Sequence, residues 1–121
     1  MSFFAGSFAN GSNGNVSVSG IGFQPSYLRF TIAYKNGSSN VIRYGVGYTD
    51  GTNEFNHWIY GDSSGFRTIS SNSRCCGVAD RISGNIVDKC DGSFVSFDSD
   101  GFTLNFTNAD SNYTIYVEAF A

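Results

Sequence analysis

Ser19-Gly20-Ile21-Gly22-Phe23-Gln24-Pro25-Ser26-Tyr27-Leu28-Arg29-Phe30-Thr31-Ile32-Ala33-Tyr34 is the stretch that decides the fold. It carries the chain's single proline and opens with two glycines. It then runs into the longest clean alternation in the sequence. Leu28, Phe30, Ile32 and Tyr34 fall on one face of an extended chain; Tyr27, Arg29, Thr31 and Ala33 fall on the other. Period-2 alternation after a glycine-rich corner predicts a turn feeding a half-buried strand. Gln24 precedes the proline, which biases it toward extended geometry. Phe23 is expected to plug one end of a sandwich whose interior Leu28, Phe30 and Ile32 fill.

The same pattern repeats outward from this stretch. Short alternating runs are separated by Gly, Asn, Asp and Ser, and no window repeats apolar residues at helical spacing. Residues 2–8, Val16 to Val18, Ile42 to Tyr48, Glu54 to Tyr60, Asn85 to Asp88, Phe94 to Phe97, Phe102 to Thr107 and Tyr113 to Ala119 are predicted strands. Lys35 to Asn40, Thr49 to Asn53 and Asp98 to Gly101 are predicted turns. Gly45 and Gly47 are expected to leave flat ground on an outer face, where a ring or another backbone lies close. Asp91-Gly92 is expected to turn, and Ser70 to Ser83 to be mostly loop. The predicted fold is all-β: an antiparallel, jelly-roll-like β-sandwich of about eight to ten strands in a single domain over residues 1–121.

Composition narrows the function classes. The 121 residues suit one domain with a real core. Aromatics are 17% and charged residues 14%, which excludes ordinary disorder. The net charge is −3, and the seven basic residues are scattered, so nucleic acid is not an expected partner. The N-terminus lacks the pattern of a signal peptide, and no apolar run is long enough to insert into a membrane. The expected compartment is therefore the cytosol.

Two pieces together resemble a known group. Gly22-Phe23-Gln24-Pro25 leads into an alternating strand. Phe97-Asp98-Ser99-Asp100-Gly101-Phe102-Thr103-Leu104-Asn105-Phe106 leads into a final strand ending Val117-Glu118-Ala119-Phe120. This order resembles small β-sandwich virion proteins of tailed bacteriophages and prophages. The resemblance covers roughly residues 6–35 and 94–121. It implies a non-enzymatic virion structural protein: a capsid decoration, fibre or tail module assembled in the host cytoplasm. Its implied partners are itself, as a homotrimer, and other virion proteins. It implies no catalytic residues and no cofactor.

Other residues carry chemistry to be weighed. Tyr48, Asn56, Trp58 and Tyr60, flanked by Asp50 and Asp62, combine flat rings with amide and carboxylate groups. That combination suits a sugar, and it supports the alternative of a lectin-like module that binds a host-surface glycan. The same rings suit a core or a subunit interface better, since aromatics dominate both. Cys75, Cys76 and Cys90 are open between a disulfide from Cys90 to one of the others, contributing roughly 3 kcal/mol, and reduced buried thiols. Adjacent cysteines are poorly spaced for zinc, so no metal is expected. His57 alternates with Phe55 and Ile59 and reads as a strand histidine. Asp98-Ser99-Asp100-Gly101 lacks the later ligands of a calcium loop and reads as a turn.

Overall fold

The computed structural model describes residues 2–35 and 40–121. The loop expected from Lys35 to Asn40 lies mostly outside the described residues. The described chain forms ten antiparallel strands: β1 (Phe3–Phe8), β2 (Gly14–Ser19), β3 (Tyr27–Tyr34), β4 (Ile42–Thr49), β5 (Glu54–Asp62), β6 (Gly65–Ser71), β7 (Cys76–Ile82), β8 (Asn85–Asp98), β9 (Gly101–Thr107) and β10 (Tyr113–Phe120). One sheet has the order β1-β10-β3-β4-β5-β6, and the other β2-β9-β8-β7. The protein is a β-sandwich. Its order is simpler than the expected jelly roll: β3 to β6 stay within one sheet and β7 to β9 within the other.

The alternation in β3 places its side chains as expected. Leu28, Phe30 and Ile32 are fully buried. They meet Ile115, Val117 and Ala119 of the adjacent β10, and Phe102, Leu104 and Phe106 of β9 in the facing sheet. Phe30 and Phe102 pack edge to face across the sandwich, their centroids 5.8 Å apart. Phe23 and Ile21 close one end of this core.

The corner before β3 is held by the hairpin before β9. Asp100 accepts hydrogen bonds from Gly20 N at 3.0 Å and Gly22 N at 2.6 Å. Its backbone carbonyl accepts from Ile21 N. Gly20 and Gly22 have φ of 84° and 90°, which turns their N–H groups toward one carboxylate at little steric cost. Gln24 Nε2 adds a bond to Phe97 O. The two sequence pieces that carry the family resemblance therefore touch.

The middle of the chain differs from expectation. Ser70 to Ser83 is mainly strand, divided between the end of β6 and all of β7. Asp91-Gly92 is no turn but lies inside the 14-residue β8. There Cys76 pairs with Gly92 and Val78 with Lys89, so Cys90 and Asp91 together oppose Gly77 in a bulge. Cys90 takes a φ of 55° there, and its N–H turns to Asn108 O. Small residues on both faces of β7 hide its period: Cys76, Gly77, Val78 and Ala79 are all buried.

Gly45 and Gly47 face inward, correcting the expected outer position. A Cβ at Gly45 would overlap Gly77 O, and one at Gly47 would overlap Cys75 O. β4 thus approaches the β7 backbone itself. Asn56 of β5 bridges the two sheets here, its Nδ2 donating to Val46 O at 3.1 Å and Gly77 O at 3.0 Å. Gly47→Ala is expected to lower stability by about 3 kcal/mol, because the obstacle is backbone and cannot rotate away. Gly11→Ala, where the new Cβ makes only ordinary contact with Ser111, should change it by less than about 0.5 kcal/mol. Urea denaturation of both variants checks this.

Candidate functional site

The six sequence candidates divide between the two faces of the larger sheet. Asn56, Trp58 and Tyr60 point from β5 into the interior. Trp58 and Tyr60 are each only 4% exposed and pack on Ala79. They are core rings, as the preferred reading expected, and they cannot stack on a sugar, which removes them from the alternative ligand surface with Tyr48. Both faces of β5 carry apolar residues, so alternation alone does not say which one is buried. Tyr60 Oη donates to Asp62 at 3.1 Å, and Arg81 pairs with Asp62 at 3.3 Å. Bonds from Ser64 N and Tyr60 Oη hold the Asp62 carboxyl below its usual range.

The aromatic surface lies on the opposite face. Phe3, Phe120, Tyr27, Tyr48 and Phe55 form a row across five strands, β1, β10, β3, β4 and β5. Successive centroids are 5.2, 5.7, 5.9 and 5.8 Å apart. Tyr27, Tyr48 and Phe55 are stacked, with interplanar angles of 19° and 28°. Only Tyr48 of this row stood among the sequence candidates. The pairing of Tyr48 with Phe55 follows from the short turn between β4 and β5, and that was the signal available for Phe55.

An open pocket of about 330 Å³ adjoins the Phe55 end of the row. Tyr48, Thr52, Asn53, Glu54, Phe55 and Asn72 line it. Asp50 organises its rim rather than facing it: its carboxylate accepts from Thr52 N, Asn53 N and Asn53 Nδ2 at 2.9, 2.7 and 3.2 Å. These bonds hold its carboxyl below the usual range. Thr49 Oγ1 accepts from Gly51 N at 3.1 Å. Glu54 is fixed from the other sheet, where Phe94 N donates to its Oε1 at 2.8 Å.

The remaining carboxylates serve the scaffold. Asp80 pairs with Arg43 at 2.8 Å and accepts from Tyr113 Oη. Asp98 accepts from Ser96 and Thr103 within its own hairpin. His57 Nδ1 and Ser70 Oγ lie 2.8 Å apart on the outer face, a cross-strand pair set by the β5–β6 register.

The three cysteines are free and buried, so the disulfide considered from sequence is not formed. Cys75 and Cys90 direct their thiols to backbone carbonyls instead, Gly92 O and Asp110 O. Burial raises all three thiol pKa values, that of Cys90 to about 11, which favours the unreactive protonated form. Comparison with family models, curated proteins and solved structures gives no match.

Asp91 is the titratable group that burial perturbs most usefully. Beside the β8 bulge it pairs with Arg74 and receives Asn108 Nδ2 at 3.4 Å. Burial nevertheless outweighs these partners and raises its pKa to about 6. The folded state thus holds this proton more tightly than the unfolded chain, whose Asp titrates near 3.9. Its contribution favours folding at low pH and is lost as pH rises from about 4 to about 6. Asp91→Asn is expected to flatten the fall in stability between pH 4 and pH 7, a change on the order of 2 kcal/mol in the native protein. Urea midpoints at the two pH values measure it.

Proposed function

We propose that this protein is a non-enzymatic structural module that self-associates as a trimer, in the manner implied by its resemblance to phage virion proteins. The observation that carries the reading is the state of β6. This strand forms one edge of the six-stranded sheet and extends past the smaller sheet, so it is exposed on both faces. It nevertheless carries Phe66 at 74% exposure and Ile69 at 48%. Next to Phe66, the outer face continues as Ile42, Tyr44 and Ile59. A free edge bearing apolar side chains on both faces invites pairing with another chain.

A second copy suits this surface. Three copies gathered about one axis would cover Phe66 and Ile69 of each β6 against its neighbours. Arg67 is the charged residue within β6, so like-charge repulsion between copies is small. The virion setting rests on the sequence resemblance alone. The partners in that setting are further copies and neighbouring virion proteins.

Light scattering after size-exclusion chromatography is expected to give three times the 13.1 kDa chain mass. A Phe66→Ser, Ile69→Thr double variant is expected to run as a folded monomer. A native monomer at high concentration overturns self-association, and a dimer overturns the trimer. Capsid, portal or tail genes flanking the coding sequence are expected; their absence removes the virion setting while leaving the assembly test intact.

A further inference from the structure

We propose that the pocket at the Tyr48–Phe55 end of the outer face binds a neutral saccharide. The site goes beyond the assembly surface and adjoins its far end: Asn72 follows Ser71, the last residue of β6, while Phe66 lies near the other end. Tyr48 lies six residues along β4 from Ile42, or about 20 Å in an extended strand. A copy packed against Phe66 leaves this end open.

Three features point to a sugar. The first is the aromatic floor. Tyr48 and Phe55 stack 5.8 Å apart, and among the described residues the stack ends at Phe55. The terminal ring of a row presents an apolar face with a negative quadrupole, which attracts the polarised C–H bonds of a pyranose. The second is the set of unused polar groups. The Thr52 hydroxyl and the Asn72 amide make no side-chain hydrogen bond among the described residues. Asn53 spends its Nδ2 on Asp50, leaving its Oδ1 to accept. Glu54 is spent on the scaffold, its carboxylate held by Phe94 N and the Cys75 side chain. The site therefore offers amide and hydroxyl donors and amide and hydroxyl acceptors beside a ring, matching the mixed character of sugar hydroxyls.

The third feature is rigidity. Asp50 fixes Thr52 and Asn53 through three hydrogen bonds, and Glu54 is tied to β8. Weak, numerous hydroxyl contacts give useful affinity only when the protein has already lost that freedom. The charge of the lining selects further. Glu54 is its only ionisable acid and no Lys or Arg lines it, so sialic and uronic acids are disfavoured. At about 330 Å³ the pocket sits at the small end of ligand sites and admits one or two sugar rings.

The test uses the whole chain, isotope-labelled, titrated with glucose, galactose, mannose, N-acetylglucosamine, N-acetylgalactosamine and their disaccharides at millimolar concentration. At least one is expected to shift the amide resonances of Thr52, Asn53 and Phe55. Sialic acid and glucuronic acid should leave them in place. Asn72→Ala, which removes an exposed side chain from the rim, is expected to weaken binding about tenfold while leaving the melting temperature unchanged. Tyr48→Ala should abolish it, with the amide spectrum reporting retained fold. The proposal is overturned if no neutral sugar shifts these resonances, if only acidic sugars do, or if folded Asn72→Ala and Tyr48→Ala bind like the native chain. None of these outcomes bears on the mass measured by light scattering.

Discussion

The close approach of β4 to β7 is the constraint on which the rest depends. Packed sheets ordinarily stand about 10 Å apart, spaced by interlocking side chains. Here Gly45 and Gly47 remove the side chains on one strand, and the carbonyls of Cys75 and Gly77 take their place. Backbone meets backbone. Such contact leaves polar groups to satisfy, and the Asn56 amide does so for Val46 O and Gly77 O. Asn56 is thereby drawn into the interior, and Trp58 and Tyr60 follow it by alternation. The opposite residues of β5, among them Phe55, His57 and Ile59, are turned outward. The aromatic row and the Phe55 pocket are thus consequences of two glycines on the neighbouring strand.

The two ends of the sandwich are governed differently. Around β3, β9 and β10 the core is made of large side chains in regular alternation, and Asp100 secures the corner that leads into it. Around β7 and the β8 bulge the interior is made of small residues, thiols and paired charges, with Trp58 and Tyr60 packed on Ala79. Arg43 with Asp80, and Arg74 with Asp91, sit where the apolar core thins. Removing one partner there would leave the other charge buried and unpaired.

Legibility in the sequence follows that division. Leu28, Phe30 and Ile32, and Tyr113, Ile115 and Val117, announce their strands because each has one apolar face. β7 does not, since Gly77 and Ala79 are as buried as Cys76 and Val78. Gly92 reads as a turn because a bulge cannot be told from a bend without its partner strand. Trp58 and Tyr60 drew attention as large rings, yet the rings beside the pocket are the half-buried, outward-facing Tyr48 and Phe55. What assigns the face of β5 is the contact between β4 and β7, and that contact joins residues about 30 positions apart through atoms that glycine does not have. Asn72, Thr52 and Asn53 form a site only once β4, β5 and β6 are in register.

β10 lies between β1 and β3, and Ala121 N donates to Ser2 O at 3.1 Å. During synthesis the inner edge of β3 therefore waits, unpaired, until β10 leaves the ribosome. Most of the larger sheet can form as a meander beforehand, but with a hydrophobic strand open at its margin. Contacts of such long sequence separation slow folding and prolong exposure of that edge. The meeting of Ser2 and Ala121 also offers a remedy. A short peptide joining Ser2 to Ala121, with new termini opened elsewhere, would place β10 before β3 in the order of synthesis. A circular permutant of that kind would pair the vulnerable edge as it emerges.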